Sequence, residues 1–86
     1  MRLSFTKEFE KQFKYLNSKQ QTKVENALRT FLADKNTASL RLHELKGEWA
    51  GHYSISAGGD LRIHLKHIEA TGVLVVTLGT HSQLYK

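Results

Sequence analysis

The strongest constraint on the fold is an alternating stretch between residues 60 and 66. Its apolar side chains Leu61, Ile63 and Leu65 occupy every second position, which is the period of a β-strand with one buried face. The intervening residues are all basic: Arg62, His64 and Lys66. The sequence therefore predicts a strand that packs a hydrophobic core with one face and presents cations to an anion with the other.

Length and composition favour one small domain over residues 1–86. The chain has no cysteine, so neither a disulfide nor a thiolate zinc site can support the fold, and this fits a reducing compartment. The sequence has no signal-peptide pattern and no apolar run long enough to cross a bilayer. We expect a cytoplasmic protein with no membrane partner.

The net charge of the chain indicates a polyanionic partner. Thirteen Lys and Arg residues against eight Asp and Glu residues give a formal charge of +5 and a pI of about 9.7. Nucleic acid is the first expectation, followed by acidic protein and anionic membrane, and a merely soluble basic protein stays an alternative. Residues 1–39 carry a net charge of +4, whereas residues 40–86 carry +1 and all five histidines. The first half thus predicts a docking surface and the second half a place for proton transfer.

The first half of the chain has the pattern of a short strand followed by a helix. Residues 2–5 alternate in polarity, and Thr6 is a favourable N-cap residue. Phe9, Phe13 and Leu16 then recur at helical spacing and predict one buried stripe. The outer side of this helix carries three cations, which are either a solvated face or contacts for a nucleic-acid backbone: Lys7, Lys11 and Lys14.

A second helix is predicted to begin at Ser18, because Ser18 and Gln21 have the spacing of a capping box. Its expected buried stripe consists of Val24, Ala27, Leu28, Phe31 and Leu32. Only one or two residues separate the two helices, so we expect them to form an antiparallel hairpin.

From Leu40 onward the hydrophobic period changes from helical to two. The pattern predicts strands over residues 40–43, 53–57 and 61–66, and a strand covered on both faces over residues 73–78. Gly58, Gly59 and Asp60 predict a tight hairpin turn. The fold class is therefore α+β with the order β-α-α-β-β-β-β, a twisted and mostly antiparallel sheet packed on one face by a helical hairpin.

Strand register predicts that polar side chains gather on the sheet face opposite the helices. These residues are Arg41, His43, Ser54, Ser56, Arg62, His64 and Lys66. A solvated sheet surface is the alternative interpretation. After the last strand, His81 and Tyr85 supply an imidazole that can exchange a proton near neutral pH and a phenol that can stack on a base or donate a proton. Packing roles near a terminus are the alternative for both.

Five short motifs resemble a known family. They are LHELKG at 42–47, WAG at 49–51, YSIS at 53–56, DLR at 60–62 and GTHSQLY at 79–85. Together they resemble the RelE/ParE superfamily of bacterial toxins, and within it the YafQ-type ribosome-dependent mRNA interferases. The resemblance covers nearly the whole chain, and it rests on the pairing of the two histidine motifs rather than on either one.

The resemblance implies a RelE-like toxin domain over residues 1–86 with endoribonuclease activity. Such a toxin cleaves mRNA in the A site of the 30S ribosomal subunit and is restrained by a cognate antitoxin. The implied reaction is attack of the 2′-hydroxyl on the neighbouring phosphate, which leaves a 2′,3′-cyclic phosphate and a 5′-hydroxyl. It implies no metal and no other cofactor. It further implies a monomeric toxin that forms a hetero-oligomer with its antitoxin.

Roles for individual residues follow from the motif matches. The resemblance implies that His43 and His81 are catalytic or substrate-positioning histidines and that Asp60 is a functional acid. Tyr85 takes the terminal aromatic position. Lys46 and Arg62 lie where related toxins place cations around the scissile phosphate, with Arg41, Lys66 and the three helix lysines as further contacts for RNA.

Two positions depart from the family pattern. YafQ-type toxins have a further histidine where this chain has Ser56, and a tryptophan where it has Leu61. His64 on the next strand is a candidate for the missing imidazole, and we expect it among the catalytic residues.

Three other functions stay open from the sequence. The first is a ParE-like toxin that poisons DNA gyrase without nuclease activity, and the second is a small RNA-binding module without catalysis. The third, a histidine metal site, is the least favoured because His64 and His67 are an odd number of residues apart and so face opposite sides of a strand.

Overall fold

In the computed structural model, which describes residues 1–85, the five strands and the first two helices follow the predicted order, and a short third helix that the sequence did not predict follows the last strand. The strands are β1 (Arg2–Phe5), β2 (His43–Glu44), β3 (Tyr53–Ser56), β4 (Leu61–His67) and β5 (Gly72–Thr80). The helices are α1 (Lys7–Lys14), α2 (Ser18–Ala33) and α3 (His81–Leu84), and two short 3-10 helices span Ala38–Leu40 and Gly47–Trp49. The expected α+β fold is confirmed.

The strands form one sheet in the order β1-β5-β4-β3-β2. β1 pairs with β5 in parallel, and every other pairing is antiparallel. β5 shifts register opposite the His64–Leu65 step of β4, which is a β-bulge. The predicted hairpin between β3 and β4 is present, with Gly58 at φ 100° and Gly59 at φ 55°, angles that glycine adopts with little steric cost.

One hydrophobic core lies between the sheet and the α1–α2 hairpin. The alternating residues Leu61, Ile63 and Leu65 are buried in it, as the sequence predicts. Phe9 of α1 and Phe31 of α2 pack into the same core. Burial of apolar surface at roughly 25 cal/mol per Å² is the main stabilising contribution, and it fixes which face of β4 points away from the helices.

Both helices begin where the sequence predicts, but the residue that caps α2 differs from the predicted one. The hydroxyl of Thr6 accepts a hydrogen bond from the Phe9 amide at 3.0 Å. α2 begins at Ser18 as predicted, but its N-cap is Asn17, whose side chain forms a capping box with Gln20, so the capping box predicted for Ser18 and Gln21 was wrong. Both Asn and Ser accept hydrogen bonds from the first turn, and the sequence offered two overlapping boxes.

Two further expectations about local structure were wrong. Leu32 is 43% exposed, since it lies one step around α2 from the buried Phe31. Leu40 ends a 3-10 helix and Arg41 adopts a left-handed conformation (φ 50°, ψ 42°), so the strand predicted there begins only at His43.

Within residues 1–85, no helix is long and apolar enough to span a bilayer.

Candidate active site

A row of polar side chains crosses four strands of the sheet. His43 of β2 pairs with Ser54 of β3, Ser54 with His64 of β4, and His64 with Thr77 of β5. Directly paired residues point to the same face of a sheet, and alternation places this row opposite the buried Ile63. The register therefore brings one imidazole from β2 and one from β4 to the face away from the α1–α2 core.

A cavity of about 420 Å³ opens beside this row. Its lining contains two arginines, two histidines, two serines, one tyrosine and one leucine, and no carboxylate: Arg41, His43, Leu45, Ser54, Ser56, Arg62, His81 and Tyr85. Fixed positive groups in a concave surface with low-dielectric walls raise the local potential for an anion. The cavity is therefore suited to a phosphate group.

Arg41 and His43 form one wall through a strained piece of backbone. The left-handed conformation of Arg41 is uncommon for a residue with a Cβ atom. It accompanies a hydrogen bond of 2.8 Å between the Arg41 carbonyl oxygen and Nδ1 of His43. A carbonyl only accepts, so Nδ1 carries the proton, and in the neutral ring Nε2 holds a free lone pair.

Arg62 forms a second wall and is anchored by one nitrogen. Its Nη1 donates to the Gly59 carbonyl at 2.8 Å and to the Ser56 hydroxyl at 3.3 Å. The half-buried side chain is thereby held at the β3–β4 hairpin with its charge beside the cavity. A guanidinium carries five N–H donors in a fixed fork, which matches the oxygens of a phosphate.

The third wall is α3, a helix of four residues held by its cap. Thr80 and Gln83 form a capping box, in which the Thr80 amide donates to Oε1 of Gln83 at 2.8 Å and the Gln83 amide donates to the Thr80 hydroxyl. The cap fixes His81 at the first helical position and Tyr85 one turn later, with their ring centroids 4.6 Å apart. A helical turn thus presents an imidazole and a phenol side by side.

His64 lies beneath the cavity rather than in its lining. It is fully buried, its Nε2 atom is 3.0 Å from the Tyr85 hydroxyl, and the Trp49 ring packs edge-on against it at 4.4 Å. Burial, together with the nearby imidazoles of His52 and His43, lowers the pKa of the His64 imidazole from 6.5 to about 4. The ring is therefore neutral at neutral pH.

The other residues expected in the site lie outside this cavity. Asp60 is exposed in the β3–β4 turn, and Lys46 is exposed at the start of a 3-10 helix. Lys66 borders a separate small pocket with Phe31 and Val73. The helix lysines Lys7, Lys11 and Lys14 are exposed on α1. The structure thus brings together two of the predicted histidines, two of the predicted arginines and the tyrosine.

Two residues that shape the site were not identified from the sequence as contributors to it. Thr80 caps α3, and the Thr-x-x-Gln spacing of Thr80 and Gln83 is a signal that could have revealed it. Trp49 covers His64 and donates from Nε1 to the Leu84 carbonyl at 3.3 Å. No local pattern predicts that contact, because it joins segments 35 residues apart.

A larger groove of about 700 Å³ runs between α1 and α3. Its lining includes Glu8 and several amides and apolar side chains, but no lysine, arginine or histidine. An anionic substrate therefore has no cation to bind there. In the described part of the chain, no group of three or more His, Asp or Glu side chains comes together at metal-binding distance.

Comparison with known proteins gives a family match over the whole chain. A family model described as the bacterial toxin YafQ of type II toxin–antitoxin systems matches residues 1–86. Comparison with curated protein sequences yields no match.

Solved structures share the fold at low sequence identity. E. coli YafQ (strain BL21(DE3)) superposes with a TM-score of 0.79 at 19% identity, covering 99% of this chain and 98% of that one. A YoeB/ParE toxin from Agrobacterium tumefaciens gives 0.78 at 16% identity, covering 94% and 99%. The toxin in the E. coli DinJ–YafQ complex gives 0.71 at 19% identity, covering 99% and 98%.

Proposed function

Since the chain belongs to the YafQ family of toxins of type II toxin–antitoxin systems, we propose that it is a metal-independent endoribonuclease that cleaves mRNA in the ribosomal A site and so inhibits translation. The observation that carries this proposal is the single cavity lined by Arg41, His43, Arg62, His81 and Tyr85. It combines groups that bind a phosphate with groups that move protons.

Phosphate binding is assigned to the two arginines. In-line attack on a phosphodiester develops negative charge on the non-bridging oxygens, and preorganised cations stabilise that charge in the transition state. Arg62 is held at the hairpin through Nη1, so it needs little reorganisation when RNA binds, which is the condition for efficient electrostatic catalysis. Arg41 adds a second positive charge to the lining of the same cavity.

His43 is assigned as the general base. Its Nδ1 atom is occupied by the Arg41 carbonyl, so Nε2 is the atom available to accept the proton of the ribose 2′-hydroxyl. The 2′-oxygen then forms a bond to phosphorus as the bond from phosphorus to the 5′-oxygen breaks. The products are a 2′,3′-cyclic phosphate and a free 5′-hydroxyl.

His81 is assigned as the general acid that protonates the departing 5′-oxygen. It is exposed at the first position of α3 and lines the cavity, and an imidazole can donate a proton near neutral pH. Tyr85 packs against the His81 ring and offers an aromatic face to a base.

A cognate antitoxin is the proposed protein partner. The E. coli YafQ structure that shares this fold was also solved with DinJ in a toxin–antitoxin complex. We expect the chain to act as a monomer in the cytoplasm when free and to be inactive in a hetero-oligomer with its antitoxin.

Cell-free translation with mapping of 5′ ends tests the proposal. The wild-type chain should produce new 5′-hydroxyl ends within translated messages, and only when ribosomes are present. The yield should be the same on ribosome complexes that are first crosslinked and then treated with excess EDTA to remove Mg²⁺. His67 is exposed and outside the cavity, so His67→Gln is a matched control that should cleave normally. Intact messages together with trapped gyrase–DNA breaks, or ribosome binding without cleavage, would contradict the proposal.

A further inference from the structure

The chain contains one buried imidazole that the proposed reaction does not use. His64 has no exposed surface, so it cannot touch RNA, yet its Nε2 atom is 3.0 Å from the Tyr85 hydroxyl at the edge of the cavity. The neighbouring Ser54 is also buried, and neither Ser54 Oγ nor His64 Nδ1 has a hydrogen-bond partner among residues 1–85. A buried polar group with one partner, placed under a residue of the site, needs a structural explanation.

We propose that His64 is a positioning residue that donates Nε2–H to the phenol oxygen of Tyr85, so that the Tyr85 hydroxyl directs its own proton into the cavity. Tyr85 then acts as a hydrogen-bond donor to the phosphate in addition to packing on a base. The catalytic consequence rests on the proposed function, whereas the direction of the hydrogen bond does not.

The direction follows from the environment of the two ring nitrogens. If Nδ1 carried the proton, a buried N–H donor would have no partner, and orphaned buried N–H groups are rare in proteins. If Nε2 carries the proton, Nδ1 keeps an unpaired lone pair, which proteins tolerate more often. The Nε2–H tautomer therefore has the lower free energy, and in it the phenol oxygen accepts.

The surroundings of His64 keep the ring neutral. Trp49 packs edge-on against it, and the titratable groups nearby are the imidazoles of His43 and His52 and the phenol of Tyr85. Within residues 1–85 no carboxylate stabilises a proton there, and the low pKa of the ring agrees with this arrangement. A neutral ring has a single N–H, so the tautomer alone decides which partner of the hydrogen bond donates.

A closed set of contacts holds Tyr85 in place. Trp49 packs against His64, His64 bonds Tyr85, and Trp49 donates back to the Leu84 carbonyl next to Tyr85. Because α3 has only four residues, these contacts and its cap supply most of its order. His64 is therefore the link between the rigid sheet and the phenol at the cavity.

Nuclear magnetic resonance of the full chain with ¹⁵N-labelled histidine tests the bond without any activity. Two-bond ¹H–¹⁵N spectra at pH 7 should show His64 as the neutral Nε2–H tautomer. Tyr85→Phe should shift the Nε2 resonance of His64 and leave the Nε2 resonance of His67 unchanged. A His64 ring in the Nδ1–H tautomer, or a resonance unmoved by Tyr85→Phe, would overturn the proposal even if the chain cleaves RNA.

Cleavage assays test the consequence through a double-mutant cycle. Tyr85→Phe should lower the cleavage rate about 10²-fold, as expected for loss of one donor to developing charge, and His64→Leu about tenfold. The double variant should be no slower than Tyr85→Phe, because His64 acts through the phenol. His64→Gln retains an N–H donor and should recover most of the rate. Additive losses in chains that melt like the wild type would overturn the proposal.

Failure of this proposal is distinguishable from failure of the proposed function. A wild-type chain that never cleaves RNA removes the nuclease assignment, while the tautomer and its response to Tyr85→Phe still decide the hydrogen bond. A chain that cleaves RNA but has His64 in the Nδ1–H tautomer keeps the nuclease assignment and removes the hydrogen-bond proposal.

Discussion

Nδ1 of His43 donates a hydrogen bond to the carbonyl oxygen of Arg41, and the residue that accepts it has a left-handed backbone. The bond selects the tautomer of His43 and turns Nε2 into the available base. The same turn of the chain places the Arg41 side chain in the cavity. One local conformation thus positions both the cation and the base.

Replacement of His43 should stop the chemistry without loss of binding. His43→Gln has no group that accepts a proton at neutral pH, so we expect the single-turnover cleavage rate to fall about 10²–10⁴-fold. Ribosome affinity should change little, because the arginines remain. Quench-flow cleavage and ribosome co-sedimentation measure the two effects. A His43→Gln chain that cuts like His67→Gln would remove His43 from the reaction.

The backbone of Arg41 should respond to substitution separately from its charge. Arg41→Asn and Arg41→Ala both remove the cation, but Asn tolerates the left-handed region better than Ala. We expect Arg41→Asn to be more stable than Arg41→Ala by about 1 kcal/mol, with both chains cleaving more slowly than the wild type. Urea denaturation compares the free energies of unfolding. Equal stabilities would mean that the turn relaxes to another conformation in the variants.

Arg62 should be needed as a guanidinium and not only as a charge. Arg62→Lys keeps the charge but loses the fork that binds two phosphate oxygens, so the cleavage rate should fall at least about tenfold. Lys66→Gln is the matched control, since Lys66 lies outside the cavity. The two variants are compared in the same translation reaction. Full activity of Arg62→Lys would show that a point charge suffices at this position.

The cap of α3 should matter more for activity than for stability. Thr80→Ala removes the acceptor for the Gln83 amide, a loss of about 1 kcal/mol that a four-residue helix cannot compensate. We expect cleavage to fall strongly while the melting temperature changes by a few degrees. Thr22→Ala on α2 removes a comparable exposed hydroxyl and should leave cleavage unchanged. Equal cleavage by Thr80→Ala and Thr22→Ala would show that the α3 cap is not needed for activity.

His64 should make the stability of the chain depend on pH. The unfolded chain binds a proton at this position near pH 6.5, whereas the folded chain does so only near pH 4. The contribution of His64 is therefore constant above pH 6.5 and falls between about pH 6.5 and pH 4, by up to about 3 kcal/mol.

Urea denaturation of the wild type and of His64→Gln measures that contribution. The wild type should lose more stability than the variant between pH 7 and pH 4.5, because the variant has no buried imidazole at position 64 to protonate. Identical losses in the two chains would show that His64 is accessible to protons in the folded state.

Periodic patterns predicted the scaffold well because they report burial directly. The alternation of Leu61, Ile63 and Leu65 specified β4 and its buried face, and Thr6 with Phe9 specified the start of α1. The segment from Leu40 to His43 failed because four residues of alternation do not distinguish a strand from a turn. There the left-handed conformation of Arg41 interrupts the alternation, and its carbonyl oxygen accepts the Nδ1–H of His43.

Only the residues whose positions follow from their own motif or strand register could be placed at the cavity from the sequence. His43, Arg62 and Tyr85 are recognisable from motifs and register, and all three line the cavity. His64 shares the polar face in register, but Trp49 and α3 cover that part of the sheet. Coverage by distant segments depends on tertiary packing, so the sequence of β4 alone predicts an exposed imidazole where the fold has a buried one.

The pairing of β1 with β5 joins Arg2 to Gly72, and the last wall of the cavity comes from His81 and Tyr85. A chain emerges during its synthesis from the N-terminus onward, so α1 and α2 leave before β5, the strand that joins β1 to the rest of the sheet. The site is therefore divided along the chain, since Arg41, His43 and Arg62 precede β5 whereas His81 and Tyr85 follow it. A fragment that stops within β5 lacks one wall of the cavity and cannot carry the complete set of groups.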